Sequence, residues 1–269
     1  MEKGKNNRGI LTGAVLKNIA CLTMFTDHFF AILVYNYMSL YPVNVARQPQ
    51  IEKVYRIGRD IGRVSFVLFA YLIAEGFVYT GSRARYLLRL FLFALLSEIP
   101  FDLAFSGKVA DWSGQNIYWT LFLGVLLLTL WEYPGRRRSF VSKAAQIAIL
   151  VSCCAAAFLL STDYRFMGIL LIFVFYETRG RSLAVQIPAA GLVMFFGTWG
   201  SNCIRYGETY TVFYLLRFSL RELYGLFAFV LIFLYNGERG RQLPKPFYYS
   251  FYPLHLLLLY GAARLAGVM

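Results

Sequence analysis

Long apolar segments separated by short polar turns dominate the sequence. Most of them reach the roughly 20 residues that a helix needs to cross a membrane at a rise of about 1.5 Å per residue. The pattern predicts an all-α, polytopic membrane bundle of about nine transmembrane helices, with eight or ten left open. The predicted segments are residues 15–40, 57–80, 85–105, 116–133, 144–161, 164–178, 182–199, 209–236 and 247–267.

Two of these segments are irregular. The sixth is short, and the eighth is long and interrupted by Arg217, Arg221 and Glu222. The interruption predicts an interfacial segment followed by a shorter span. Neither a repeat nor a low-complexity linker divides the chain, so residues 1–269 are predicted to form a single domain.

Composition excludes most other classes of protein. The chain is 58% hydrophobic, 18% aromatic and only 15% charged, with a mean hydropathy of +0.54, whereas soluble domains carry about 25% charged residues. A soluble enzyme, a disordered chain and a secreted disulfide scaffold are therefore poor interpretations. The four cysteines form no CxxC pattern, so we expect neither a disulfide framework nor a metal site. The first apolar segment lacks a cleavage pattern and is expected to remain as a span.

The basic residues predict an orientation. Lys and Arg outnumber Asp and Glu by 27 to 14, giving a net charge of +13. They cluster in alternate loops, as positive-inside loops do, so the excess indicates a lipid bilayer rather than nucleic acid. The distribution predicts a cytoplasmic N-terminus and an outer C-terminus. Arg136, Arg137 and Arg138 form the densest inner cluster, which topology alone explains but which also suits an anionic cytosolic ligand.

Ionisable side chains at membrane depth are the first candidates for function, because each is costly there. Asp27 and His28 are adjacent in the first segment. His28 lies eleven residues past Lys17, or about 16 Å along a helix, near the middle of the bilayer. Neighbours on a helix point about 100° apart, so Asp27 does not automatically orient His28. A structural, hydrogen-bonded histidine is the alternative.

A second group of charges joins the second and third segments. Arg56, Arg59 and Arg63 share one helix face, and so do Glu98 and Asp102. Both sets lie about twenty residues from the turn at 81–84, so antiparallel helices would place Arg63 level with Asp102. We therefore expect Arg63 to pair with Asp102 or Glu98, either as part of a site or as a structural ion pair.

Other polar residues stand alone in the sequence. His255 follows Pro253 in the last segment, which suggests a bent helix that aims the imidazole inward. Glu75 lies closer to the cytoplasmic end of its segment and has no obvious partner nearby. Asn116 and Asp163 lie at segment ends, where polar caps are common.

Several of these stretches together resemble the TraX family, membrane proteins named for an acetyltransferase that modifies conjugative pilin. The likeness extends in order over residues 16–260, although Ser65-Phe66 departs from an expected Phe-Pro and residues 182–246 carry no matching motif. A more distant similarity is to membrane acyltransferases such as heparan-α-glucosaminide N-acetyltransferase. The stretches that carry the likeness are Leu16–Ala20 with Met24 and Asp27-His28, Ile57–Arg59, Gly62–Phe66, Ala74–Phe77, Tyr86–Leu90, Ser97–Asp102, Asn116 with Thr120–Gly124, Asp163-Tyr164 with Gly168, and Tyr252–His255.

The resemblance implies transfer of an acetyl group from cytosolic acetyl-CoA to an amine or hydroxyl of a peptide, sugar or small metabolite, at a bacterial inner membrane. His28 is then the general base or a transient acyl carrier, since imidazole suits proton transfer near neutral pH. Asp27 would fix its tautomer or stabilise the imidazolium, and Arg63, or His255 as imidazolium, would stabilise the tetrahedral oxyanion. The remaining roles are assigned to two groups of residues. Arg83, Arg85, Arg136, Arg137 and Arg138 would bind CoA, and Glu75, Glu98, Asp102, Asn116 and Asp163 would line the acceptor side.

Two other functions remain open. Buried Asp, Glu, His and Arg also build the proton relays of transporters, which makes a proton-coupled small-molecule transporter the main alternative. Transporters often contain paired half-repeats, and no such symmetry is visible in the sequence. A membrane scaffold, in which polar groups only lock helices together, is the third interpretation.

Overall fold

The computed structural model describes residues 9–42, 46, 48–135 and 140–269, and these residues are almost entirely helical. The all-α prediction is confirmed. Nine helical segments lie within the described ranges, close to the nine predicted ones. They are α1 (Gly13–Leu40), α2 (Gln50–Tyr79), α3 (Arg83–Ser106), α4 (Ile117–Gly135), α5 (Phe140–Leu159), α6 (Arg165–Glu177), α7 (Leu183–Tyr206), α8 (residues 212–233) and α9 (Lys245–Leu265).

Four stretches of the described chain are long and apolar enough to cross a membrane. They are Gly13–Leu40, Gln50–Tyr79, Ser142–Leu159 and Leu183–Tyr206. The protein is therefore a multi-pass membrane protein. The remaining spans and the cytoplasmic N-terminus stay predictions.

Two helices change their winding along their length. In α1 a π-helical turn, Phe30–Val34, separates the α-helical stretches Gly13–Phe29 and Tyr35–Leu40. In α8 the α-helix Val212–Glu222 passes through the 3₁₀ turn Leu223–Phe227 into a second α-helix, Ala228–Phe233. The break in α8 follows Arg221 and Glu222, where the charges interrupt the apolar pattern. The interfacial position of its first half stays a prediction.

The helices form two compact units. The terminal unit combines the described residues up to Leu72 with Tyr224–Met269, and the central unit comprises Ile73–Leu223. In the terminal unit the start of the chain pairs with the segment after α8: Leu11 N–H donates to the Leu234 carbonyl at 2.8 Å, and Gly13 N–H to the Glu238 carbonyl at 2.8 Å. Its core includes Leu16, Ala20, Leu68 and Leu256.

The central unit is built on α3 to α7. Its most buried side chains include Leu127, Leu128, Ile169 and Ile172, from α4 and α6. Polar side chains gather at the two ends of these helices. One end holds the C-terminus of α3 and the N-terminus of α4, and the other holds the N-terminus of α3 and the C-terminus of α4.

Candidate active site

Two histidines from the opposite ends of the chain meet inside the terminal unit. Nδ1 of His28, in α1, lies 2.6 Å from Nε2 of His255, in α9. The two rings are nearly parallel, with centroids 4.9 Å apart and an interplanar angle of 8°. Both residues are buried, at 8% and 4% exposure. The chain has only two histidines, and the fold brings them into direct contact.

The hydrogen bonds assign the proton on each ring. Nδ1 of His255 lies 2.7 Å from the Phe251 carbonyl oxygen, which can only accept, so in neutral His255 this nitrogen carries the proton. Nε2 of His255 then carries a lone pair and accepts from Nδ1–H of His28. By this assignment the lone pair of His28 is on Nε2, the nitrogen that a general base uses.

Aromatic rings enclose the histidine pair. The Phe251 ring stacks on His255 with centroids 4.9 Å apart. The Tyr252 ring meets both imidazoles edge-on, at 5.9 Å from His28 and 5.6 Å from His255. Phe25 approaches His255 from α1 at 6.3 Å. The surroundings are apolar, which strengthens the electrostatic interaction between the two rings.

Local irregularities of both helices accompany this contact. The π-helical turn Phe30–Val34 begins two residues after His28, and the Phe30 N–H bonds to the carbonyls of Thr26 and Asp27. Single π-turns within α-helices are frequent at functional sites. In α9, Pro253 lies inside the helix and removes one N–H donor two residues before His255. His255 is buried, which is the inward position that the sequence predicts.

Asp27 is held by an arginine of α2. Its Oδ2 accepts from Nη1 of Arg59 at 2.7 Å, and the same nitrogen is 3.3 Å from the Asp27 backbone carbonyl. Oδ1 is buried with no hydrogen-bond partner in the described chain. The group that orients the His28 ring is His255, whereas Asp27 joins α1 to α2.

Two glycines allow α1 and α2 to approach so closely. A Cβ atom at Gly62 would overlap the carboxyl group of Asp27, and one at Gly58 would overlap the Phe30 ring. Glycines four residues apart lie on one helix face and let another helix come within backbone distance. The Gly58-x-x-x-Gly62 spacing thus places Arg59 within reach of Asp27. This spacing is legible in the sequence and could have predicted the contact.

The other residues of the α2 face have different partners. Arg56 pairs with Glu52 on the same helix, and Arg63 is half-buried one turn beyond Arg59. The pairing of Arg63 with Asp102 or Glu98 stays a prediction. Ser65, where the sequence departs from the family pattern, donates to the Ala20 carbonyl at 2.9 Å and fastens α2 to α1.

The predicted acceptor-side residues Glu98 and Asn116 do meet, in the central unit. Oε1 of Glu98 accepts from the side-chain amide of Asn116 at 2.6 Å and from the indole N–H of Trp119 at 2.5 Å. The Asn116 amide also donates to the Ala94 carbonyl at 2.7 Å, and Asn116 is fully buried. Sequence reasoning missed Trp119, although it is three residues past Asn116 on the same helix face.

Asp102 and Asp163 organise loops at the same end of the central unit. Oδ2 of Asp102 accepts from the Asp111 N–H at 2.9 Å. The carboxylate of Asp111 accepts from Ser113 N–H at 3.0 Å, and this bonding lowers the pKa of Asp111. Asp163 accepts from the Tyr164 N–H at 3.0 Å through its side chain, and from the Thr120 hydroxyl through its carbonyl.

Glu75 lies at the other end of the central unit, apart from the residues with which it was grouped. Its Oε1 accepts from Nε of Arg179 at 2.7 Å, and Nη2 of Arg179 donates to the Tyr79 hydroxyl at 2.8 Å. The hydrogen bond that Arg179 donates to Glu75 raises the pKa of Arg179. Arg179 is 104 residues from Glu75 in the chain, and no sequence signal connects the two.

The predicted CoA-binding arginines differ in their surroundings. Arg136, Arg137 and Arg138 lie outside the described residues. Arg83 is paired with Glu132 and covers the Phe77 ring at 4.8 Å, whereas Arg85 is exposed. Arg89, one turn beyond Arg85, was not predicted. Its Nε is buried without a hydrogen-bond partner among the described residues, and its guanidinium lies 6.0 Å from the Tyr86 ring centre.

No cluster of three His, Cys, Asp or Glu side chains that could hold a metal ion occurs in the described ranges.

The fold and this centre define a class: a multi-pass helical membrane protein that encloses a hydrogen-bonded histidine pair within an apolar unit. The family profile described as TraX protein matches residues 12–263. Because this match covers nearly the whole chain, the protein belongs to the TraX family, which is associated with pilin acetylation.

One curated relative and the solved structures complete the comparison. The relative is described as a probable fimbrial assembly protein FimC, serogroup H1, from Dichelobacter nodosus. It is 23% identical over 220 residues, which cover 77% of this chain and 83% of the relative. No solved structure matches the chain.

Proposed function

We propose that the protein is a membrane-embedded acyltransferase that moves an acetyl group from cytosolic acetyl-CoA to an amine or hydroxyl of an acceptor. Membership of the TraX family supports the reaction class. The observation that carries the proposal for the site is the His28–His255 pair. A buried pair of nearly parallel imidazoles, joined by a hydrogen bond of defined direction, is suited to accept and return one proton.

His28 acts as the general base in this proposal. Its Nε2 takes the proton of the acceptor's amine or hydroxyl and afterwards returns it to the leaving sulfur. While His28 is charged, its Nδ1–H donates to Nε2 of His255, which spreads the positive charge over the pair. The Phe251 carbonyl keeps His255 in the tautomer that can accept.

In this proposal, contacts between α1 and α2 position His28. The Asp27–Arg59 ion pair, with the close approach at Gly62, holds the turn of α1 that carries His28. Arg63, one turn beyond Arg59 on α2, is our candidate for stabilising the oxyanion. In the resting tautomer His255 is an acceptor toward His28, which makes it a positioning residue first.

Acetyl-CoA would supply the acetyl group as a thioester. The arginines at the start of α3 fit an anionic group of this kind. Arg85 and Arg89 share a helix face at i, i+4 spacing, and neither has a carboxylate partner among the described residues. The Nε atom of Arg89 is buried and has no hydrogen-bond partner in the described chain, so it is available to an anionic ligand. We propose that they bind phosphate groups of CoA with Arg136, Arg137 and Arg138. Arg83, already paired with Glu132, would contribute less.

The acceptor is proposed to be reached from the outer face, in a bacterial cytoplasmic membrane. Glu98 and Asn116 are the pair that we favour on the predicted acceptor side, because one carboxylate oxygen of Glu98 accepts hydrogen bonds from both Asn116 and Trp119. Asp102 and Asp163 mainly order the adjacent loops. The printed name of the curated relative refers to fimbrial assembly, and we accordingly include pilin-like peptides among the acceptors to test.

The test is turnover of acetyl-CoA by the purified protein in detergent. Free CoA is quantified by chromatography, because four cysteines of the chain would add to a thiol-reagent signal. The acceptors are peptides with a free N-terminus, amino sugars and simple amines. We expect CoA release that depends on acceptor, and a loss of about 10²- to 10⁴-fold in His28→Ala.

The matched control is His28→Asn, whose amide can donate toward His255 but has no basic nitrogen. We expect it to retain the wild-type midpoint of thermal unfolding and the stabilisation by CoA, and to lose turnover. Intact mass after exposure to acetyl-CoA alone separates a base from an acyl carrier, which would gain an acetyl group. Full turnover in His28→Asn would refute the assignment. Proton-coupled uptake by vesicles, without CoA release, would instead favour the transporter.

A further inference from the structure

Two arginines converge at one end of the central unit, where neither the predicted site nor the family assigns a role. Arg165 is the first residue of α6, and Arg205 is in the last turn of α7. The tight connection before α6 has left-handed backbone at Ser161, Tyr164 and Arg165, with φ values of 54°, 59° and 44°. The turn brings the Arg165 side chain back toward α7.

Among the described residues, the hydrogen-bond partners of both guanidinium groups are neutral. Arg165 donates through Nη1 to the Ser201 hydroxyl at 3.2 Å and the Asn202 side-chain oxygen at 3.4 Å, and through Nη2 to the Tyr206 hydroxyl at 3.3 Å. Ser201 and Asn202 are both buried. Arg205 donates to the Ser161 hydroxyl and, at 3.1 Å, to the Ser113 carbonyl.

Both charges lie against the same tyrosine ring, and no carboxylate of the described residues pairs with either of them. Their guanidinium carbons are 5.5 Å and 5.7 Å from the ring centre of Tyr206. Within the part of the chain that the structure describes, no carboxylate forms an ion pair with either arginine. By contrast, Arg59, Arg83 and Arg179 each have a carboxylate partner.

Donors remain on both arginines for a further ligand. A guanidinium has five N–H donors. Arg165 uses three of them in the contacts above and keeps two, and Arg205 uses two and keeps three. Planar, forked donors of this kind match the oxygens of a phosphate group.

The surroundings indicate that this phosphate belongs to a lipid headgroup at the membrane interface. Three tyrosines follow one another beside the arginines: ring centroids are 6.2 Å apart for Tyr206 and Tyr210, and 4.8 Å for Tyr210 and Tyr214. Rows of Tyr and Trp mark the level of lipid headgroups. Ile204, next to Arg205, is 69% exposed on a helix long and apolar enough to cross the membrane.

We infer that Arg165 and Arg205 form a binding site for the phosphate group of a membrane phospholipid. The headgroup phosphate accepts from the remaining N–H donors of the two guanidinium groups, and the acyl chains lie along the exposed apolar side chains of α7. Tyr206, whose ring lies near both guanidinium groups, supplies a polar hydroxyl to Arg165 and an aromatic face at the headgroup level.

The experiment measures lipid binding to the full chain in detergent, and it requires no turnover. Native mass spectrometry and the midpoint of thermal unfolding are recorded with phosphatidylglycerol, with diacylglycerol and with inorganic phosphate. We expect phosphatidylglycerol to bind and stabilise the wild type, and diacylglycerol to have little effect. In R205Q, and more strongly in R165Q/R205Q, the apparent dissociation constant should rise by about ten- to a hundredfold, as loss of charge-assisted hydrogen bonds implies.

The matched control is R264Q. Arg264 is exposed at the end of α9, at a helix terminus predicted to lie on the same membrane face, and its side chain donates a hydrogen bond to the Met269 carbonyl at 3.1 Å. This variant should bind phosphatidylglycerol like the wild type. Equal binding by R205Q and R264Q, equal binding of diacylglycerol and phosphatidylglycerol, or stabilisation by inorganic phosphate alone would overturn the inference. R205Q changes an exposed side chain and keeps the test valid if R165Q/R205Q does not fold.

Discussion

The histidine pair of the terminal unit differs from the Arg–Glu pairs of the central unit in burial and in charge. His28 and His255 are buried among aromatic rings and bond to each other through neutral imidazole nitrogens. Glu75 with Arg179, and Glu132 with Arg83, lie at the helix ends, where the side chains remain partly exposed. In the first arrangement two imidazole rings bond to each other in an apolar interior, whereas in the second opposite charges pair where the side chains are partly exposed.

The difference indicates which polar groups perform chemistry and which hold the fold. An exposed ion pair contributes about 0–1 kcal/mol and tolerates change. A buried hydrogen bond between titratable rings is costly to leave unsatisfied and is sensitive to the proton on each nitrogen. Substitutions in the histidine pair should therefore act on turnover, and substitutions in the Arg–Glu pairs should act weakly on stability.

The largest effect in this comparison is expected at His255. H255L removes the acceptor of the His28 Nδ1–H bond, whereas H255Q retains a carbonyl oxygen that can accept. We expect kcat to fall by about ten- to a hundredfold in H255L, with KM little changed, because the loss is one charge-assisted hydrogen bond in the transition state. H255Q should recover most of the rate. The kcat values and their pH profiles are measured for both variants. A wild-type rate and pH profile in H255L would show that His255 does not position His28.

A smaller effect is expected on stability at Gly62. G62A places a methyl group against the Asp27 carboxyl, so α1 and α2 must separate, at a cost of about 1–3 kcal/mol. The control is G261A in α9, where a Cβ meets nothing within 4 Å. Thermal unfolding in detergent should show a lower midpoint for G62A and an unchanged or higher midpoint for G261A. Equal midpoints would contradict the proposed close approach.

The smallest effect is expected at the Glu75–Arg179 pair. E75Q keeps the shape of the side chain and removes its charge, and we expect a loss of at most about 1 kcal/mol. The loss should shrink as salt is added, because exposed charges are screened. Unfolding midpoints at low and high ionic strength test this, with Y79F, which removes the neutral hydroxyl partner, as a salt-insensitive control. A large loss of turnover in E75Q with unchanged stability would show that Glu75 acts in the reaction and not only in holding the fold.

The amino-acid sequence by itself determined the fold class and the positions of the helices. Apolar runs of this length and a small charged fraction are compatible only with helices in a membrane, and the turns between them are fixed by polar and glycine residues. The sequence also singled out His28, His255, Glu98 and Asn116, because polar groups in apolar segments are costly and few. Even the break in α8 follows directly from the charges at Arg221 and Glu222.

Only the tertiary structure decided which of these groups meet. His28 and His255 are 227 residues apart, and Glu75 and Arg179 are 104 apart. Helical periodicity gives the face on which a residue lies but not the helix that this face contacts. The family resemblance implied that Asp27 would fix the tautomer of His28 or stabilise its imidazolium, whereas in the structure Asp27 bonds to Arg59. The choice of partner depends on how closely two helices pack. At Gly58 and Gly62 the helices can approach because glycine has no side chain to separate them.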